Sequence, residues 1–413
     1  MSALPKADSD RIAARLDELA AIGASPDRAG MWRVAFSEAD LTARAWFART
    51  ARQQGMDVTG DQWANQHARL PGARDEIRPF GTGSHLDTVP GGGNLDGAAG
   101  VVVALEVARL LAGGRLRHGL VVTNFTSEEV GRWGSSTIGS RGMAGRLSDA
   151  ELDRTDAHGE SLRAAIARTG EEASEPPRYA AFVEVHIEQG ERLDVSELAL
   201  AAVTGITAIR RMVLRIEGAA NHAGTTIRRR RKDALLGAAA ILAAVEDAWQ
   251  QLDPAEEVSL TVGRFDVEPN AINVIPAAVE AVLEVRSPDA ALAQTVEQQA
   301  LAHAKQIGQT RGLTIGTKRL LDQSPQAFDT TLTERLHAGI RAAAGEAPAL
   351  WSLAGHDAGH IGHVCPAGMV FVRTRGGISH APGEVADPAD LALAADAVAA
   401  TLQALDDEHD EPV

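Results

Sequence analysis

RPFGTGSHLDTVPGGGNLDGAAGVVVALEVARLLAGG, residues 78–114, reads as a strand, a glycine-rich loop and a buried helix in immediate succession. The run up to His85 is short and β-prone, Gly91, Gly92, Gly93 and Gly97 crowd the loop, and the apolar helix closes at Gly113 and Gly114. Strand and helix patterns go on alternating to about Thr204. Amphipathic helices are expected over 8–23 and 38–54, and a polar loop over 171–177. Such alternation predicts an α/β fold on a doubly wound mixed sheet. In open sheets of that kind ligands bind outside the carboxyl ends of the strands.

The chemistry-bearing residues fall at such ends. The runs RPFGTGSH, LVVTNFTSEE, AAFVEVH and MVFVRTRGGISH lead into His85, the pair Glu128 and Glu129, His186 and His380, and the loop after the first carries Asp96. His85 and Asp96 are eleven residues apart, Glu129 follows thirty-three later and His380 lies near the other end, so only a folded scaffold could gather them. Two divalent ions about 3.5–4 Å apart need a bridging carboxylate with separate imidazole and carboxylate ligands, and such a pair activates water for hydrolysis. The glycines leave room for Asp96 to sit between two ions. On an extended backbone alternate residues share a face and neighbours diverge. Asp87 is thus placed to accept the second ring N–H of His85. Of the diverging pair, Glu129 is assigned to metal and Glu128 to proton transfer. Imidazole and carboxylate donors without thiolate suit zinc, manganese, cobalt or nickel. Singly, each histidine would more often be structural, Asp96 a turn residue and the Glu pair a solvated helix start. Their joint occurrence after four strands points to a metal site.

From Ile206 the pattern changes. ITAIRRMVLRIEG, VSLTVGRFDV, AAVEAVLEVR and LTIGTKRLL read as strands, with helices over RKDALLGAAAILAAVEDAWQQL and ALAQTVEQQALAHAKQIGQTRG. The order β-α-β-β-α-β is the split βαβ, ferredoxin-like arrangement. It predicts an inserted α+β domain over 206–322, flanked by the two parts of the ligand-bearing domain, 1–205 and 323–413. The insert holds none of the five candidate ligands. It carries His222, Asn273 and Arg286, a polar set suited to gripping a carboxylate, Arg bidentately. The chain then returns to supply His356, Asp357 and His380. Asp357 reads equally as a helix cap and as a substrate-loop residue.

The motifs GSHLDTVPGGGNLDG, SEEVGRWGSSTIGS, EVHIEQG, NHAGTT with RKDAL, NAINVIP with EVR, AGHDA and GISHAPGE run in order between about Trp32 and Glu384. This series resembles the N-carbamoyl-L-amino acid hydrolase and allantoate amidohydrolase (hydantoinase/carbamoylase) branch of the dinuclear aminoacylase and carboxypeptidase superfamily. The resemblance implies two divalent ions per subunit, held by His85, Asp96, Glu129, His186 and His380 with Asp96 bridging, and Glu128 as acid/base. It further implies that Gln189, His222, Asn273 and Arg286 hold the substrate, and His356 is counted with them. The inserted domain would serve as lid and dimerisation module of a homodimer, His222 reaching its own or the partner's site. The implied reaction is hydrolysis of a linear amide or ureido C–N bond in a small anionic substrate, an N-carbamoyl-amino acid or a ureido acid such as allantoate, releasing ammonia and carbon dioxide. An aminoacylase or exopeptidase on the same scaffold is the alternative. The chain departs from the family pattern at Val130, Trp133, Ile227, Arg228, Arg373 and Thr374. Arg373 reads either as a contact for a second anionic group or as a solvated arginine.

Composition bounds the remainder. A chain of 413 residues with 45% hydrophobic content has the makings of an ordinary globule of two or three domains. A formal net charge of -16 argues against nucleic acid as a partner. The one basic run, Arg228–Lys232, reads as a solvated or interface-paired stretch. Cys365 is the only cysteine, which excludes an intrachain disulfide, suits a reducing compartment and reads as a buried structural thiol. No signal-peptide h-region and no run of about eighteen apolar residues is evident, so no membrane contact and a cytoplasmic location are expected.

Overall fold

The computed structural model describes residues 4–25, 27–113, 116–171, 173–253 and 257–408. Gly114 and the end of the acidic tail lie outside them. The chain divides into two compact units, Met1–Thr204 with Ala327–Val413, and Gly205–Gln326. The second boundary falls later than the expected 322 because the insert's last strand runs on to Gln323.

The first unit is α/β. Its mixed sheet has the strand order Gln326–Ala327, Leu200–Ile206, Ala367–Val372, Phe182–Ile187, Phe80–His85, Leu120–Phe125, Gln66–Leu70, Asp57–Asp61 and Ala173–Ser174, with Ala349–Ser352 pairing Leu200–Ile206 off that path. The four strands from Ala367–Val372 to Leu120–Phe125 run parallel to one another. Every residue of these four is buried, so both faces of the sheet centre are covered. The polar loop expected over 171–177 contributes the two-residue strand Ala173–Ser174 instead, paired with Asp57–Asp61.

The helix Ala98–Leu111 packs on three of the parallel strands and beneath the helices Ser9–Ala20 and Pro388–Glu408. Thirteen of its fourteen residues are buried, which is why its sequence is apolar on nearly every face, with the buried Glu106 paired to Arg11, Arg15 and Arg109. The helices Ser9–Ala20 and Glu38–Gln53 start on Asp8 and Ser37, whose side chains accept backbone N–H groups of the first turn. No helix among the described residues is long and apolar enough to cross a membrane.

The second unit follows the β-α-β-β-α-β order. Its antiparallel sheet runs Ser259–Glu268, Ala278–Ser287, Ala208–Glu217, Thr314–Gln323. The helices Ala234–Gln250 and Ala290–Arg311 share a core with one face of it. A short ribbon, Asn221–His222 paired with Val274–Ile275, adjoins one end.

Cys365 is half-buried, and burial pushes its thiol up to about 12. The thiolate is the nucleophile, so native protein near neutral pH is expected to resist iodoacetamide and to be alkylated once unfolded. Intact-mass measurement checks this; rapid modification of the native chain would show the thiol to be open.

Candidate active site and metal centre

The carboxyl ends of the four parallel strands bring the five candidate ligands together. His85 closes its strand and His186 is the last but one residue of its own, the loop after His85 returns Asp96, and the segments beyond Phe125 and Val372 bring Glu129 and His380. Nε2 of His186 lies 3.1 Å and Nε2 of His85 3.6 Å from Oδ1 of Asp96. Nε2 of His380 lies 3.3 Å from the other oxygen, Oδ2, and 3.1 Å from Oε1 of Glu129. Two groups of three donors result, His85 with Asp96 and His186, and Asp96 with Glu129 and His380, and they share Asp96. Oε1 of Glu129 is buried, and apart from this approach of His380 it has no hydrogen-bond partner among the described residues. An all-nitrogen and oxygen donor set with a carboxylate oxygen so placed fits a divalent cation.

Local backbone supports the arrangement. Gly97 stands at φ +66, and a Cβ there would lie 2.4 Å from the His85 ring. A Cβ on Gly93 would lie 2.3 Å from Oε1 of Glu384. Ser127 (φ +51), Gln189 (φ +58) and His380 (φ +55) take the left-handed conformation that side chains disfavour. Such strain gathers where surrounding structure over-determines a site.

Several expected roles change. The second ring nitrogen of His85 lies 3.0 Å from the main-chain carbonyl of Asp87, not on its carboxylate, which is 3.6 Å away. The Asp87 carboxylate instead accepts the backbone N–H groups of Glu128 and Glu129, both at 3.1 Å, and so fixes the Glu pair. Gln189 donates its side-chain amide to Asp96 at 2.7 Å, and its Oε1 has no partner among the described residues. His356 is buried against His186, ring centroids 4.5 Å apart, with Nε2 2.8 Å from the Ser352 hydroxyl. It packs behind a ligand instead of facing open space. Asp357 caps no helix: it accepts from Ser140 at 2.5 Å, and Glu184 receives the N–H of Ala358. Arg373 is neither solvated nor open to an anion, since Nε and a terminal nitrogen meet Asp390 at 3.0 and 2.8 Å.

Glu384, the last residue of GISHAPGE, has a role that the motif alone does not indicate. It accepts from the backbone of Leu95 at 2.7 Å and Asp96 at 2.9 Å, and from the Ser379 hydroxyl at 3.1 Å. Ser379 also donates to Asp96. Its position four residues after His380 was the available signal. Burial raises the Glu128 carboxyl well above the usual range, and neighbouring Glu129, Asp357 and Asp87 push the same way while His85 opposes them.

In the second unit, His222 is exposed, and its Nδ1 accepts from Gly224 at 3.0 Å and Thr225 at 3.2 Å. Those bonds put the proton of the neutral ring on Nε2. Asn273 adjoins it, its carbonyl accepting from the N–H of Ala223. Arg286 does not. It sits at the opposite end of the strand Ala278–Ser287, roughly 26 Å along it at about 3.3 Å per residue, and donates to Glu284 at 2.7 Å. One carboxylate cannot touch Asn273 and Arg286 of the same copy.

Residues 81–404 match the family described as Peptidase family M20/M25/M40. The chain belongs to that family. It is 33% identical over 404 residues to an N-carbamoyl-L-amino acid amidohydrolase of Geobacillus stearothermophilus, covering 95% of this chain and 97% of the relative. It is 32% identical over 390 residues to an allantoate amidohydrolase of Bacillus subtilis, covering 92% and 93%. A crystal structure of a hydantoinase/carbamoylase family amidase from Burkholderia multivorans superposes with a TM-score of 0.87 at 31% identity, covering 99% of both chains. Amidohydrolases of this family are metal-dependent.

If Glu384 holds the loop that presents Asp96, Glu384→Ala should weaken metal binding about 10–100-fold, the usual effect of removing a partner that orients a ligand. Glu384→Gln should lose less, since its amide oxygen can still accept a backbone N–H. Competition against a chromogenic chelator reads this without recourse to turnover. Unchanged affinity in a folded Ala variant would show that Asp96 needs no such support.

Proposed function

We propose that this chain is a dinuclear metal-dependent amidohydrolase that cleaves a linear ureido C–N bond in an N-carbamoyl-amino acid or a ureido acid, releasing ammonia and carbon dioxide. The observation that carries the reading is the sharing of Asp96 between two three-donor groups. His85, Asp96 and His186 would hold one ion and Asp96, Glu129 and His380 the other. When bound, such a pair polarises the scissile carbonyl and lowers the pKa of a water.

The protein's own groups do the rest. Glu128, raised by burial, takes a proton and later returns it to the leaving nitrogen. Asp87 keeps the Glu128 and Glu129 backbone fixed, so the two carboxylates stay on separate tasks. His222, with its proton on Nε2, donates to the developing oxyanion. Asn273 and Arg286 grip the substrate from different copies of a homodimer, because their separation within one unit exceeds the span of a small substrate. The inserted unit is then both lid and dimerisation module.

An ammonia-release assay across N-carbamoyl-L-amino acids, N-carbamoyl-β-alanine, allantoate, ureidoglycolate and N-acyl-amino acids tests the reaction class. Turnover of N-acyl substrates alone would make this an aminoacylase. Glu128→Gln should keep metal and lose about 10²–10⁴-fold in turnover, whereas Glu129→Gln should lose metal. Near wild-type turnover in metal-replete Glu128→Gln would remove it as the proton carrier. Mixing inactive Glu128→Gln with inactive His222→Ala subunits should restore activity in heterodimers, because one composite site regains both groups. Verified heterodimers without activity would confine His222 to its own chain.

A further inference from the structure

Four consecutive arginines, Arg228 to Arg231, follow the His222 loop. Arg231 turns inward, donating from Nε to the carbonyl of Thr226 at 3.0 Å and from a terminal nitrogen to that of Ala223. With the loop folded back in this way, Arg228 and Arg229 line a pocket of about 770 Å³ together with Arg311, the last residue of the helix Ala290–Arg311. All three are exposed, and among the described residues none of them makes an ion pair.

Six other arginines of this unit, Arg210, Arg211, Arg215, Arg264, Arg286 and Arg319, each meet a carboxylate, whereas Arg230 is likewise exposed without an ion pair among the described residues and Arg231 is turned to carbonyls. The chain carries 56 acidic residues against 40 basic ones, so carboxylates are not scarce. The one acid on the pocket wall, Asp233, has an oxygen committed to the N–H of Leu236 as a helix cap. Arg228, Arg229, Arg231 and Arg311 thus set four guanidiniums against the single carboxylate of Asp233 on one concavity, an excess of positive charge that costs energy through mutual repulsion and is relieved by an anion. Beside them Ile227 and Leu236 leave 48% and 55% of their surface open. The volume is that of a small-molecule site, and a guanidinium fork matches phosphate oxygens bidentately.

We infer that this pocket binds a small organic phosphate, its phosphate group held by Arg228, Arg229 and Arg311 and its apolar or aromatic part lying on Ile227 and Leu236. A phosphate monoester brings about -1.5 to -2 charge at neutral pH, which three guanidiniums neutralise better than they would a lone carboxylate. The site is separate from the hydrolytic reading and stands or falls without it.

Adenosine monophosphate, a phosphate joined to a flat base, is a suitable probe. Calorimetric titration of the metal-loaded enzyme should give saturable binding with a Kd of about 1 mM or tighter, and adenosine should give none. Arg229→Glu with Arg311→Glu should weaken the phosphate-dependent binding about tenfold or more, in keeping with loss of charge-assisted contacts. Because both proteins keep the metal centre, any phosphate bound there contributes equally and cancels in the comparison. Should the double variant unfold, Arg311→Gln alone, an exposed change at a helix end, should still show a loss of several-fold. Equal affinity in folded wild type and variants overturns the inference. So does the absence of saturable binding to the wild type, as would follow if a second copy of the chain covered the pocket.

Discussion

Three imidazoles converge on one buried carboxylate, Asp96, and the site is organised around keeping that carboxylate in place. Its backbone is held by Glu384, and its Oδ2 also receives Gln189 and Ser379. Around it lie Asp87, Glu128, Glu129, Glu184 and Asp357, all buried. So many carboxylates out of water would be ruinous without partners. Asp87 has two amides, Glu184 the Ser84 hydroxyl and the Ala358 amide, and Asp357 the Ser140 hydroxyl. What remains is the Glu128 and Glu129 pair, one side chain raised by its surroundings and the other turned to His380. Asp357 keeps its second oxygen, Oδ2, buried without a partner among the described residues.

The sheet makes this affordable in conformational terms. Four parallel strands, buried on both faces, deliver their ends to one crevice. The left-handed residues Ser127, Gln189 and His380 stand just beyond them. Each such residue costs of order 1–3 kcal/mol, a strain sustained by a core that runs from Ile12 through the helix Ala98–Leu111 to Leu405. A rigid scaffold is what lets ligands from distant parts of the chain meet within hydrogen-bonding distances.

The parallel strands, the β-α-β-β-α-β insert and the five donors were legible because each rests on a local signal, either periodicity or a ligand residue at a strand end. What escaped were contacts that depend on register in three dimensions. Alternation put Asp87 on the His85 face, yet the carboxylate swung to the two amides of the next strand's end, an alternative no spacing could reveal. Glu384 acts across 289 residues on Leu95. Arg373 looked available because its neighbours in sequence are polar, and Asp390, which neutralises it, lies on another element. The Asn273 and Arg286 pair looked like one grip because thirteen residues separate them in sequence. In an extended strand that interval is long.

That last distance bears on how the inserted unit works. Its sheet carries ion pairs along the strands, Arg211 with Glu284, Arg215 with Glu280 and Arg264 with Asp266, so the strands present a neutralised surface. Among the described residues, arginines of this unit without a carboxylate partner lie after His222, where Arg231 is turned to two carbonyls and its neighbours are not, and at Arg311. The same fold-back that frees Arg228 and Arg229 also sets the His222 loop, whose Nδ1 is occupied by two backbone amides while Nε2 stays available. A single local device, one arginine tying its own loop, thus orients the proton-donating face of the histidine and exposes the positive charge beside it. Any group that fixes this loop from the outside acts on the histidine through the same few bonds.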